Sequence, residues 1–203
     1  MAKYAKINKT DVANGPGIRH SIFLSGCEFA CKGCFNHEIW DFKHGEVLDW
    51  KTIWDFITPA ITDKNVSGIS ILGGEPLHPK NLDWTIGICA TFRRYENVVR
   101  SETTSCRKRK TIWLWTGFTL EELLNDEEKL KILNYIDVLV DGRYIEELND
   151  PNLKYKGSSN QRLLDVRKLR RWSKYINPML FKFIIRNNMK RFIIPDDKID
   201  EYQ

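Results

Sequence analysis

Cys27, Cys31 and Cys34 stand in one short stretch, SGCEFACKGCFN, with the spacing C-x3-C-x2-C. No fourth cysteine lies near them. A cubane iron–sulfur cluster normally takes four thiolates. Three from one loop leave one iron with an open position, much as catalytic zinc sites keep a vacant place for substrate. Such a site suits chemistry on a bound molecule better than plain electron transfer or support of the fold. Zinc is the first alternative: it takes four ligands, and His37, three residues past Cys34, could complete a Cys3His set. A disulfide framework is the second. It fits poorly with five cysteines, an odd number, and with an N-terminus, MAKYAKINKTDV, that has no apolar signal-peptide core. A reducing, cytoplasmic compartment is therefore expected, with the thiols free to bind metal.

The second motif is Gly73-Gly74-Glu75-Pro76, directly after the apolar run GISIL. Paired glycines let the backbone take unusual dihedrals and approach a ligand closely. The Glu75 carboxylate could hold an ammonium group, and Pro76 stiffens the exit from the turn. Alone, the sequence GGEP is also a common structural turn.

These motifs need a frame, and the rest of the chain supplies one. His20 to Leu24, Gly68 to Leu72, Thr111 to Trp115 and Tyr135 to Val140 are short apolar runs that read as buried strands. Between them lie helical patterns. In Val47 to Ile61 the residues Trp50, Ile53, Trp54, Ile57 and Ile61 recur at helical spacing, and in Leu82 to Tyr95 Leu82, Ile86, Cys89 and Ala90 share a face. Thr119-Leu120-Glu121-Glu122 has the form of a capping box opening a helix to about Asn134. Repeated βα units predict an α/β fold with a mostly parallel sheet. In such sheets ligands gather at the carboxyl ends of the strands. Those ends carry the cysteine loop, Gly73 to Pro76, Thr116-Gly117 and Asp141-Gly142, so the chemistry-bearing residues are expected on one rim.

At 203 residues the chain can bury a full core, and no apolar run reaches the length of a membrane span. The net charge of +5 is unevenly placed. From Val166 to Pro195 there are nine Lys and Arg residues and no acid, while residues 1–165 are close to neutral. That stretch also carries Trp172, Tyr175, Ile176, Phe181, Phe183, Ile184 and Ile185. Such a run could meet an acidic partner, a membrane surface or nucleic acid, or lie over the body with its basic face solvated. The seven tryptophans mostly follow core periodicity, so no aromatic nucleic-acid platform is needed to explain them.

Together, C-x3-C-x2-C followed by a strand and GGEP resemble the radical S-adenosylmethionine (SAM) enzymes. Further segments narrow the resemblance: Asn14-Gly15-Pro16-Gly17-Ile18-Arg19, Cys34-Phe35-Asn36 reaching Trp40, Ile112 to Phe118 (IWLWTGF), Val138 to Gly142 (VLVDG) and Gly157 to Arg162 (GSSNQR). In this order, over about residues 5 to 165, they resemble the activating proteins of anaerobic, class III ribonucleoside-triphosphate reductases. The resemblance implies a partial (β/α) barrel. It makes residues 1–165 the radical SAM activase domain and residues 166–203 a basic C-terminal extension. It implies a [4Fe-4S] cluster on Cys27, Cys31 and Cys34, with SAM on the open iron, its amino group at Gly73, Gly74, Glu75 and Pro76. Its adenine would meet the backbone of Gly33, Cys34 and Phe35. Reductive cleavage of SAM would generate a glycyl radical on the large reductase subunit, fed by a one-electron donor such as a flavodoxin. No acid–base triad is expected, since the cofactors carry the bond-breaking chemistry. Two other functions stay open: a radical SAM enzyme acting on a small molecule, as the 7-carboxy-7-deazaguanine synthases do, and a non-catalytic iron–sulfur or zinc module.

The remaining conspicuous residues have plainer readings. Cys89 reads as a small core residue, Cys106 as an exposed thiol in a basic loop, and His78 as a turn residue. Asp141, at a strand end on the rim, suits a structural role and a substrate-side role equally.

Overall fold

The computed structural model describes residues 1–102, 108–173 and 178–203. The strands are β1 (Lys3–Asp11), β2 (Ile18–Leu24), β3 (Glu46–Val47), β4 (Val66–Gly73), β5 (Thr111–Thr116), β6 (Val138–Asp141) and β7 (Arg162–Asp165). The helices are α1 (Trp50–Thr62), α2 (Pro79–Glu102), the short α3 (Leu120–Leu123) and α4 (Glu127–Leu130), then α5 (Val166–Ser173) and α6 (Pro178–Asn187). One sheet runs in the order β3-β1-β2-β4-β5-β6-β7. Its centre, β2-β4-β5-β6, is parallel, and β1, β3 and β7 add antiparallel edges. The α/β class and the parallel centre agree with expectation. The sheet is open, with β3 and β7 at its two ends, so barrel closure is not seen.

Alternation along the strands sorts the two faces. Ile22, Leu24, Ile69, Ile71, Ile112, Leu114, Leu139 and Leu164 pack in one cluster with Ile53, Phe56 and Ile57 of α1 and Ile88, Cys89 and Phe92 of α2. The opposite, inner face carries Trp113, Val138, Val140 and Leu163 in a second cluster, and Phe23 and Leu72 in a third. Helix α1 is turned slightly from the expected stripe. Phe56 is fully buried, whereas Trp50 and Trp54 are 52% and 44% exposed and lie against Trp84 and Tyr95 of α2. Asp49 caps α1 by accepting from Thr52 N at 2.7 Å. The Thr119–Glu122 capping box is present, but the helix it opens does not run on to Asn134. Asp126 accepts from the amides of Glu128 and Lys129 and restarts the chain as α4, followed by a 3-10 turn at Lys131–Asn134. β1 and β7 were not anticipated, because neither shows a long apolar run; β1 is largely half-exposed or exposed.

The extension is packed onto the sheet. Val166 N donates to Asp137 O at 2.9 Å, and Arg170 bonds the carbonyls of Leu133 and Ile136. Val166, Leu169, Ile185 and Phe192 join the outer cluster, and Ile194, Ile199 and Tyr202 join the inner one. Arg167 lies over the Tyr202 ring. Cys106, Tyr175 and Ile176 lie outside the described residues. No helix among the described residues is long and apolar enough to cross a membrane.

Candidate functional site

The loop after β2 is pinned at both shoulders. Ser25 N donates to Lys3 O at 2.9 Å, Gly26 N to Ile39 O at 2.8 Å and Cys27 N to Trp40 O at 3.0 Å. Within the loop, Cys34 N donates to Cys31 O at 3.1 Å. Cys27, Cys31 and Cys34 are free, half-buried, and line one cavity of about 530 Å³. Burial pushes the Cys27 thiol up to about 11 and raises Cys31 as well. Without metal these groups are thiols, and ligation has to displace their protons.

The three cysteines offer three soft sulfur donors to one cavity, the donor type that holds an iron–sulfur cluster. His37 does not line the cavity, and its Nδ1 donates to the Cys34 carbonyl at 3.2 Å. A Cys3His zinc set is therefore not drawn up among the described residues.

The GGEP turn abuts the cysteine loop through its backbone. Gly74 N donates to Leu24 O at 2.7 Å and Glu75 N to Gly26 O at 2.8 Å. Gly73 has φ +118°, open to glycine. At Gly74 an added Cβ would come 2.4 Å from the carbonyl oxygen of Gly26, so the glycine allows contact between two loops. Glu75 is 2% exposed, and its carboxylate is already engaged. Oε1 accepts from Leu77 N at 2.8 Å and Thr116 Oγ1 at 2.7 Å, and Oε2 accepts from Gly117 N at 2.8 Å. Burial lifts its pKa to about 7 against the pull of these donors. Glu75 thus ties the end of β4 to the end of β5, and three of its roughly four acceptor sites are in use.

The expected rim is largely assembled. Cys34, Phe35, Gly73, Gly74 and Glu75 line the cavity with the cysteines; Gly33 and Pro76 do not. Phe35 is 72% exposed and stands edge-on to Tyr144. Asp141 turns out to be buried and structural: it accepts from Leu120 N at 2.7 Å and from Arg162, which also pairs with Glu121. His78 belongs to the turn, its amide donating to Glu75 O at 3.2 Å. Cys89 is buried in the outer cluster, its thiol pushed up to about 12 by burial. Sequence reasoning missed Asn36, whose Nδ2 donates to Gly73 O at 3.2 Å, and Asn81, whose Nδ2 reaches both Ser25 O and Glu75 O at 3.0 Å. It also passed over the wall residues Phe29, Arg143 and Lys156. Asn36 sat in a motif already marked, whereas Asn81 is a lone polar residue at the start of a helix and carries no signal of its own.

This arrangement of free thiols at a strand end, facing a glycine turn, is that of an iron–sulfur domain. Residues 13–164 match the family model of a 4Fe-4S single cluster domain. The chain is 40% identical to the anaerobic ribonucleoside-triphosphate reductase-activating protein of Vibrio cholerae over 160 residues, which is 78% of this chain and 94% of the relative. It is 37% identical to the protein of that name from Escherichia coli K12, over 78% of this chain and 95% of the relative. The phage T4 protein of that name is 32% identical, over 79% and 92%. The chain belongs to the family of anaerobic ribonucleoside-triphosphate reductase-activating proteins.

Proposed function

We propose that this protein is a radical SAM activase that generates a glycyl radical on an anaerobic ribonucleoside-triphosphate reductase. The observation that carries the reading is the meeting of three free thiols and the GGEP turn on one cavity. Cys27, Cys31 and Cys34 would hold a [4Fe-4S] cluster and leave one iron open. When bound and reduced by an external one-electron donor, the cluster would supply the electron for reductive cleavage of SAM, the chemistry that would let a hydrogen atom be taken from a glycine of the reductase.

The chain's own work is binding, orientation and exclusion of water. Backbone at Gly73 and Gly74, with the one acceptor site left on Glu75, would receive the ammonium group of SAM. Backbone near Cys34 and Phe35 would meet the adenine. Because Glu75 also holds Gly117 and Thr116, it sets the distance between the two strand ends that flank the ligand. The cysteines that would hold the cluster are half-buried, and transfer to a second chain requires the reacting atoms to approach to about 3–3.5 Å. A one-electron donor such as a flavodoxin completes the cycle. In domain terms, residues 1–165 hold the cofactors, and residues 166–203 are an extension.

Anaerobic reconstitution with iron and sulfide, followed by a SAM-cleavage assay, tests the reading. Methionine and 5′-deoxyadenosine formed on reduction support it. An iron-replete protein that leaves SAM intact would overturn it in favour of a non-catalytic module.

A further inference from the structure

Residues 166–203 lie beyond the stretch that the family model matches, yet their last part packs beneath residues that line the cavity. Phe192 to Ile194 runs antiparallel beside β7: Asp165 N donates to Phe192 O and Ile194 N to Leu163 O, both at 2.8 Å. The chain then turns onto the inner face as a 3-10 segment, Asp196–Tyr202. Ile199 and Tyr202 are buried there against Trp113, Val138, Val140 and Leu163. Tyr202 is fixed at both ends. Its hydroxyl donates to Asp165 Oδ2 at 2.6 Å, and its carbonyl accepts from Thr111 Oγ1 at 3.2 Å and Trp113 Nε1 at 3.4 Å.

Trp113 passes this support upward. Its ring lies 5.7 Å from that of Trp115 and edge-on to Tyr155 at 5.5 Å, and Trp115 Nε1 donates to Tyr155 O at 2.8 Å. Trp115, Leu153, Tyr155 and Lys156 all line the cavity. Tyr155 has φ +59°, a left-handed conformation that side-chain-bearing residues rarely adopt. Contacts, and not local backbone preference, must therefore hold this loop in place. Two of its lysines reach the extension, Lys154 to Asp200 at 3.0 Å and Lys156 to Asp196 at 3.9 Å. Pairs whose carboxylate is exposed, as those of Asp196 and Asp200 are, contribute little each, so the buried Ile199 and Tyr202 carry the support.

We propose that Phe192 to Tyr202 is a positioning element for SAM: it braces Trp113 and, through it, the loop 150–157 that forms one wall of the site. The proposal rests on the SAM reading of that cavity. A wall held in its bound shape beforehand needs less ordering when the ligand arrives. The extension thus acts on affinity, without touching the ligand.

The test uses full-length Tyr202→Ala, with Tyr202→Phe as the milder variant that keeps the ring and loses the bond to Asp165. Amide hydrogen exchange at residues 153–157 is measured without ligand. SAM dissociation constant, iron per chain and cleavage rate at saturating SAM are measured after reconstitution. Faster exchange at 153–157 and SAM affinity weakened about tenfold, with iron content and saturated rate unchanged, are expected for Tyr202→Ala. Smaller shifts in the same direction are expected for Tyr202→Phe, which carries the test if the alanine variant does not fold. Unchanged exchange in 153–157, or faster exchange with unchanged affinity, would overturn the brace. Wild-type protein with no SAM affinity would overturn the SAM reading instead, and the proposal with it, even with the exchange difference intact.

Discussion

The two ends of the parallel sheet handle polar groups in opposite ways. At the amino end of the strands Arg19 is fully buried, and all three nitrogens of its guanidinium donate. Nε donates to Ser70 Oγ at 2.7 Å, Nη1 to Thr111 Oγ1 at 2.9 Å, and Nη2 to the carbonyls of Ile69 at 2.7 Å and Thr111 at 2.9 Å. Tyr202 closes that end from the extension. At the carboxyl end three thiols stand half-buried and free around a cavity, while the neighbouring backbone and Glu75 are held tightly. Burying polar groups is costly unless they are paired. An enclosed, fully bonded guanidinium is thus the mark of structure, and free thiols gathered on one cavity in a rigid frame are the mark of a site.

This contrast makes graded predictions. The largest effect on function is expected from Cys27→Ala, Cys31→Ala or Cys34→Ala, each losing the cluster and all SAM cleavage. Cys89→Ala, in the outer core, keeps both; iron analysis and the cleavage assay separate the two groups. Gly74→Val comes next. Its side chain would meet the Gly26 backbone, which leads into Cys27, so iron content should fall together with SAM affinity. Cluster retention with SAM binding alone lost would show that the turn yields toward the ligand instead.

Arg19→Met reverses the pattern: it leaves Ser70, Thr111 and two carbonyls short of donors, at about 1–3 kcal/mol for each buried group left unsatisfied. Denaturant unfolding should show a large loss of stability, while the protein that remains folded binds a full cluster. Glu75→Gln is the smallest. An amide cannot accept from Leu77, Thr116 and Gly117 together and sets a donor against the Gly117 amide, costing about 1–3 kcal/mol with weakened SAM affinity. A stability equal to wild type would show that these three bonds are not important.

Much of this contrast was legible in the residues. The cysteine spacing, the GGEP turn and the four parallel strands follow from soft ligands at fixed intervals and short β-branched runs. Arg19 was marked only as part of a motif, since a sequence does not show that its five N–H groups are enclosed. Asp141 could not be assigned until Arg162, twenty-one residues on, was seen to face it across the β6–β7 pair. The extension was the hardest part to read. Its cations suggested a solvated face, whereas its apolar residues meet partners on both faces of the sheet, many of them far away in sequence. Truncation after Val166 would therefore uncover Trp113, Val138, Val140 and Leu163, and point variants are the cleaner probe of that segment.

The central claim is that the cysteine-bearing end of the sheet makes a radical for another chain. Reconstituted full-length protein, mixed anaerobically with a class III reductase subunit, SAM and a reductant, is examined by electron paramagnetic resonance. A glycyl doublet that needs SAM, and that disappears with Cys31→Ala, is the predicted result. No doublet on a competent reductase, despite normal SAM cleavage, would contradict the account and point to a small-molecule substrate.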